Sequence, residues 1–125
     1  MILGIGVDLV DVRRIESAIF RWEERFLRML FTDNEIRYCN NKKNPAIRFA
    51  TRFAAKQALI KALFSKEERT VDYRLIEIDQ DEEGRPTAVL SGKLKNRYKE
   101  LSVKKVHLMI SHDGNYGVAN VVVEG

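Results

Sequence analysis

One acidic residue near the N-terminus has the chemistry of a metal ligand. Asp8 follows Gly4 and Gly6 on one face of a predicted strand, and these glycines let a backbone or a ligand come close. Mg²⁺ typically takes one or two carboxylates and completes its octahedron with water and phosphate oxygens. Asp8 could therefore hold a metal that also binds a diphosphate. The alternative is a turn residue, or the N-cap of a helix that begins near Asp11.

Two lysines and a glutamine occupy a predicted helix at residues 46–64, which Pro45 opens. Gln57 and Lys61 are four residues apart, so both side chains can point at the same ligand. Such residues are often no more than the solvated face of an amphipathic helix. Here, however, small residues recur at every fourth position and predict close packing on a sheet, with little room for idle long side chains: Ala50, Ala54, Ala58 and Ala62. We therefore include Lys56 among the candidate site residues with Gln57 and Lys61.

A histidine closes an apolar predicted strand at residues 104–112. It belongs to the tripeptide Ser111-His112-Asp113. A lone histidine in this setting can be a packed or surface residue as well as a catalyst, because its charge changes near neutral pH. Asp113 is explained by the turn that it forms before Gly114. The tripeptide is thus a candidate site, and the residues alone do not decide between a structural and a catalytic role for His112.

A stripe of arginines follows the predicted strand, on a predicted helix at residues 11–30 that is broken near Trp22. Its members are spaced by seven, four and three residues: Arg14, Arg21, Arg25 and Arg28. A basic helical face suits an acidic partner. The alternative is pairing with the interspersed acidic residues Glu16, Glu23 and Glu24.

Length and composition bound the classes of protein. The chain has 125 residues, 45% of them hydrophobic, a net charge of +4 and a pI near 9.3. This fits one domain, 1–125, with an acidic or phosphorylated partner, and a core small enough for self-association to help. The single cysteine, Cys39, and the lack of a leader or a transmembrane stretch predict a soluble cytoplasmic protein without membrane contact. Neither a P-loop nor a G-x-S-x-G motif is present.

The element order predicts an α+β fold. Before the long helix, the sequence predicts a strand at 2–9 and a helix that begins with a capping box at Thr32 and Glu35. The chain closes with a predicted hairpin at 104–123. Two further strands, 73–79 and 87–90, precede a helix that Ser91 could cap. This order favours a mainly antiparallel sheet packed against the long central helix.

Four motifs resemble the holo-acyl-carrier-protein synthases, which are small phosphopantetheinyl transferases. Their opening G-x-D and arginine-bearing helix are matched by Gly6, Asp8, Arg13 and Arg14. Their pattern R-F-A-x-K-E-A-x-x-K-A is matched by Arg52, Phe53, Ala54, Lys56, Ala58, Lys61 and Ala62. Their D-x-x-G-x-P turn is matched by Asp81, Gly84 and Pro86. Their closing S-x-S/T-H-D-like strand turn, followed by an A-x-A-x-V-like strand, is matched by Ser111, His112, Asp113, Ala119 and Val121. The motifs occur in the right order over nearly the whole chain.

The resemblance implies transfer of the 4'-phosphopantetheine arm of coenzyme A to a serine of apo acyl carrier protein, in lipid or fatty-acid biosynthesis. Asp8 would bind Mg²⁺ on the coenzyme A diphosphate, and Lys61 would offset charge on the leaving group. His112 would contact coenzyme A or assist proton removal from the serine. The resemblance also implies coenzyme A contacts by Lys56, Lys61, Ser111 and His112, docking of the acidic carrier protein on the arginine stripe, and a homotrimer with sites between subunits.

The chain departs from this family at two places. Gln57 stands where the family has a metal-ligand Glu, and an amide oxygen can coordinate Mg²⁺ but carries no charge. The enzyme could work with a weaker metal site, be a variant of reduced activity, or bind coenzyme A without turnover. The loop after Leu63 lacks the family's glycines and offers Lys66 as a phosphate contact. A basic nucleic-acid-binding module is a further alternative, although clustered aromatics are lacking and both charge signs are mixed, so we expect no nucleic acid.

Overall fold

The computed structural model describes residues 1–64 and 71–125 of the chain. A one-turn 3-10 helix at Tyr73–Leu75 precedes the second strand. The other elements, in chain order, are β1 (Ile2–Asp11), α1 (Val12–Trp22), α2 (Glu24–Leu30), α3 (Asp33–Asn40), α4 (Pro45–Leu63), β2 (Ile76–Gln80), β3 (Pro86–Leu90), α5 (Gly92–Glu100), β4 (Lys105–Asp113) and β5 (Tyr116–Glu124). The predicted elements are therefore confirmed, although the strand expected from residue 73 begins only at Ile76.

The strands form two antiparallel sheets. One has the order β1-β5-β4 and the other pairs β2 with β3. Helix α4 is apolar along most of its length, with side chains such as Phe49 and Leu59 almost without solvent exposure, and it packs on the three-stranded sheet. The predicted α+β class, a mainly antiparallel sheet against a long central helix, is confirmed.

The glycines of β1 permit the close approach of α4. A Cβ atom at Gly6 would lie 1.8 Å from the carbonyl oxygen of Ala58, and one at Gly4 would lie 2.0 Å from that of Ala62. Because no side chain fits between them, strand and helix touch backbone to backbone. This contact fixes the first half of β1 against the last turns of α4.

A break divides the first helical segment, as the sequence predicts. Glu23 has a positive φ of 51° and separates α1 from α2. Asp11 caps α1, because its side chain accepts a hydrogen bond from the backbone N–H of Arg13. Asp8 is therefore not the N-cap of this helix.

The sheet face that points away from α4 is largely apolar and open. Among its side chains, Ile5 is 67% exposed, Leu9 64% and Met109 68%. Among the described strands β5 alone pairs with β4, so β4 lies at an edge of this sheet. Within 1–64 and 71–125, none of the helices has the length and hydrophobicity that a membrane crossing requires.

Candidate functional site

A cleft of about 490 Å³ opens where β1 ends, bordered by α1, α2 and α4. Asp8 and Asp11 reach it from the strand, Arg14 from α1 and Gln57 from α4. The remaining lining is largely apolar: Leu9, Val10, Ile15, Ala18, Phe26, Leu30 and Phe53. A few polar groups in an apolar wall are the usual make-up of a small-molecule site.

Asp8 and Lys61 form an ion pair at the edge of this cleft. Lys61 Nζ lies 2.9 Å from Asp8 Oδ1 and also donates to the carbonyl oxygen of Val7, at 3.1 Å. The Asp8 side chain is 14% exposed and that of Lys61 39%, so both remain accessible to a ligand. A carboxylate beside an ammonium group can bind a cation and an anionic oxygen side by side.

Gln57 lines the same cleft and is held by Tyr73. The Tyr73 hydroxyl donates to Gln57 Oε1 at 2.8 Å, and its ring packs against Phe53, with ring centroids 5.5 Å apart. Burial raises the pKa of Tyr73, and the nearby negative charge of Asp8 raises it further. The hydroxyl is therefore protonated at neutral pH and acts as a donor. Sequence reasoning missed Tyr73, because its position before β2 carries no signal of a site.

Lys56 does not face the cleft, which corrects the expectation that it contacts coenzyme A. Its side chain has no solvent exposure, and Nζ donates to Glu35 Oε1 at 2.6 Å and to the carbonyl oxygens of Leu30 and Tyr73 at 2.7 and 3.0 Å. Burial lowers the pKa of Lys56, whereas the charge and hydrogen bond of Glu35 act in the opposite direction. All three donors are used inside the core, so Lys56 is a structural residue.

The Ser111-His112-Asp113 segment ends β4, on the far side of β5 from β1. Ser111 and His112 are exposed. Of the described residues that line the Asp8 cleft, none comes from β4. Within one chain the structure thus leaves His112 apart from Asp8. The other histidine, His107, lies 2.9 Å from Glu124 on the open sheet face.

The four arginines of the stripe are exposed, but the break at Glu23 divides them between α1 and α2. Arg14 lines the cleft, and Arg21 lies over the Trp22 ring, 5.3 Å from its centroid. Arg28 pairs with Glu24 and Asp33 at 3.6 and 3.5 Å. Lys66, the expected phosphate contact, lies outside the described residues.

The donors of the cleft suit a metal ion that prefers oxygen ligands. Over 1–64 and 71–125, no three His, Cys, Asp or Glu side chains come together as a metal cluster. Asp8 and Gln57 offer one carboxylate and one amide oxygen on the same cleft. This sparse oxygen set fits Mg²⁺, which retains waters and takes substrate phosphate oxygens, and it does not fit a structural zinc site.

Comparisons with known proteins agree with this fold. The model of the 4'-phosphopantetheinyl transferase superfamily matches residues 4–121. The holo-[acyl-carrier-protein] synthase of Koribacter versatilis is 43% identical over 124 residues, which are 99% of each chain. The chain therefore belongs to the 4'-phosphopantetheinyl transferase superfamily, and the resemblance predicted from its motifs is confirmed.

Solved structures extend the similarity to three dimensions. The crystal structure of holo-[acyl-carrier-protein] synthase from Neisseria meningitidis superposes with a TM-score of 0.90, at 30% identity and with both chains fully covered. The Helicobacter pylori enzyme, solved in complex with coenzyme A, gives a TM-score of 0.80 at 31% identity, with 96% of this chain and 99% of that chain covered.

Proposed function

We propose that this protein transfers the 4'-phosphopantetheine group of coenzyme A to a serine of apo acyl carrier protein. The observation that carries the proposal is the Asp8–Lys61 pair at the mouth of a cleft in a chain of this family. The serine oxygen bonds to the phosphorus that carries the pantetheine arm, and the bond from that phosphorus to the bridging oxygen breaks. The serine proton passes to a base, and adenosine 3',5'-bisphosphate leaves.

Mg²⁺ and coenzyme A belong to this proposal. Asp8 and Gln57 would hold the metal, which, when bound, neutralises charge on the diphosphate. Asp8 supplies the charge of this ligand pair, because the other carboxylate of the cleft, Asp11, is already paired with Arg13 at 2.8 Å. Gln57 contributes an oxygen with a fixed direction, because Tyr73 holds it.

Lys61 is suited to the leaving group. Its ammonium group is 39% exposed and already lies beside Asp8, so a diphosphate at the cleft edge gains a cation without a large movement of the chain. Phosphoryl transfer depends mainly on positioning and on charge stabilisation, and a cation placed beforehand supplies both.

A homotrimer with sites between subunits completes the proposal. The open apolar face of β1, β4 and β5 is the kind of surface that a second copy would bury: Ile5, Val7, Leu9 and Met109 are each more than half exposed. Ser111 and His112 lie at the edge of the same sheet. They would then reach the coenzyme A bound at the cleft of a neighbouring copy, where His112 contacts the cofactor or takes the serine proton.

The surface of α1 and α2 is proposed as the docking site for the carrier protein. Large apolar side chains stand among the arginines there: Phe20 is 88% exposed, Met29 71% and Trp22 50%. Apolar anchors within a basic rim suit an acidic, amphipathic helix. Fatty-acid biosynthesis in the cytoplasm is the setting that this function implies, and the buried, unpaired Cys39 is compatible with it.

A coenzyme A-binding relative of low activity is the second candidate. The observation that favours it is Gln57, whose amide oxygen carries no charge. Such a protein would bind coenzyme A or the carrier protein with little turnover. Its turnover would be low because the metal site has only one charged ligand and binds Mg²⁺ more weakly.

Intact-mass spectrometry distinguishes the two candidates. Apo acyl carrier protein is incubated with this protein, coenzyme A and Mg²⁺, beside a reaction with chelator. A mass gain of one phosphopantetheine arm in the Mg²⁺ reaction supports the transferase. No gain, while coenzyme A still stabilises the protein against heat, supports the second candidate.

A further inference from the structure

Tyr73 is held at three points beside the Asp8 cleft. Its hydroxyl donates to Gln57, its carbonyl oxygen accepts from Lys56, and its ring lies against Phe53. Lys56 and Gln57 are consecutive residues of α4. The Lys56 side chain points into the core, and the Gln57 side chain points into the cleft. One turn of α4 therefore fixes both the backbone and the hydroxyl of Tyr73.

Lys56, which bonds the Tyr73 carbonyl oxygen, is itself held in one position. Lys56 Nζ is fixed by Glu35, and the Glu35 carboxylate also accepts from the backbone N–H groups of Thr32 and Ile78, each at 2.8 Å. Both charged side chains have no solvent exposure. A buried ion pair whose remaining lone pairs are hydrogen-bonded holds one geometry, because every other arrangement leaves a charge unpaired.

We propose that Tyr73 is a positioning residue of the cleft, whose hydroxyl orients the Gln57 amide while the buried Lys56–Glu35 pair keeps Tyr73 in place. A free glutamine side chain has three rotatable bonds and two chemically different ends. The hydrogen bond from Tyr73 selects one arrangement and places the amide oxygen between α4 and the residues before β2. The inference rests on the proposed function in one respect, the role of Gln57 as an oxygen ligand.

Tyr73→Phe tests the inference, because it removes the hydroxyl and keeps the ring against Phe53. The matched control is Tyr38→Phe, since the Tyr38 hydroxyl also bonds a glutamine, Gln80, at a distance from the cleft. The first measurement is the ¹⁵N side-chain amide signal of Gln57 in the free protein. We expect Tyr73→Phe to shift this signal and Tyr38→Phe to leave it unchanged.

The second measurement is the affinity for Mg²⁺ of the coenzyme A complex, without carrier protein. We expect Tyr73→Phe to weaken it about three- to tenfold, the usual worth of one hydrogen bond. In a Gln57→Ala background the same substitution should change affinity by less than about twofold, because the group that Tyr73 orients is gone.

Two results would overturn the inference. One is an unchanged Gln57 amide signal in Tyr73→Phe. The other is an equal loss of Mg²⁺ affinity with and without Gln57, which would mean that the Tyr73 hydroxyl acts independently of Gln57. The proposed function fails differently, through a wild-type protein that adds no phosphopantetheine mass to the carrier protein. In that case the amide signal of the free protein still tests whether Tyr73 orients Gln57.

Discussion

Lys61 Nζ lies 2.9 Å from Asp8 Oδ1, although the two residues are 53 positions apart. The contact follows from the backbone approach of β1 to α4, which Gly4 and Gly6 permit. Because larger residues at either glycine would push the helix away, the glycine face of this strand sets the distance between the site's carboxylate and its ammonium group.

Asp8→Asn should stop the reaction while leaving the fold intact. Asparagine has a similar shape but no charge, so the proposed metal loses its one carboxylate, and we expect kcat/KM for transfer to fall at least about a hundredfold. The Asp8–Lys61 pair is partly exposed, so unfolding in urea should change by less than about 1 kcal/mol. Transfer within about threefold of wild type would remove Asp8 from the mechanism.

Much of the fold could be read from the sequence because local signals and packing agree. The capping box of Thr32 and Glu35 is present in the structure, and the small residues of α4 lie against the glycine face of β1. The break in the first helix also falls beside Trp22, at Glu23. The capping box and the helix break depend on short-range geometry, which spacing encodes directly, whereas the regular spacing of small residues indicates only that one face of α4 can pack closely.

The candidate site was harder to predict because tertiary packing decides which way each side chain points. Lys56 and Lys61 both belong to the matched motif, but the helix turns Lys56 into the core and leaves Lys61 beside Asp8. Tyr73 reaches Gln57 only because the residues before β2 lie against α4. No spacing in the sequence relates residues this far apart.

Gln57→Glu should strengthen the metal site. A second carboxylate adds charge at the same position, and the Tyr73 hydroxyl can donate to it as it does to the amide. We expect the Mg²⁺ concentration for half-maximal transfer to fall about three- to tenfold. Gln80→Glu, an exposed glutamine away from the cleft, is the control. An unchanged Mg²⁺ dependence and unchanged activity would show that Gln57 is not at the metal.

Charge reversal on the arginine stripe should affect the carrier protein and not coenzyme A. Because Arg14 lines the cleft, the cleaner variant is Arg21→Glu with Arg25→Glu. We expect KM for the carrier protein to rise about tenfold at low salt, and the difference from wild type to shrink as salt screens the charges. The affinity for coenzyme A should stay the same.

Lys93→Glu is the matched charge reversal, on the exposed surface of α5. An equal rise in KM for this control would show that the effect comes from the net charge of the protein and not from the position of the arginines. Unchanged carrier-protein kinetics in the double arginine variant would refute docking on α1 and α2.

Lys56→Met should destabilise the protein because it leaves the buried Glu35 carboxylate without its cation. Breaking such a pair costs about 3–5 kcal/mol, measured by urea unfolding. Adding Glu35→Gln should recover part of this loss, because the second change removes the uncompensated charge. A single variant as stable as wild type, or a double variant less stable than the single, would contradict the structural role of Lys56.

The central claim is that the chain moves phosphopantetheine from coenzyme A to a serine. The most direct measurement follows both products in one reaction: the mass of the carrier protein and the amount of adenosine 3',5'-bisphosphate, with a Ser→Ala carrier protein as control. We predict equal amounts of the two products from wild type with Mg²⁺, and neither product from the control carrier protein. Coenzyme A bound without either product, in wild type and in Gln57→Glu alike, would contradict the account.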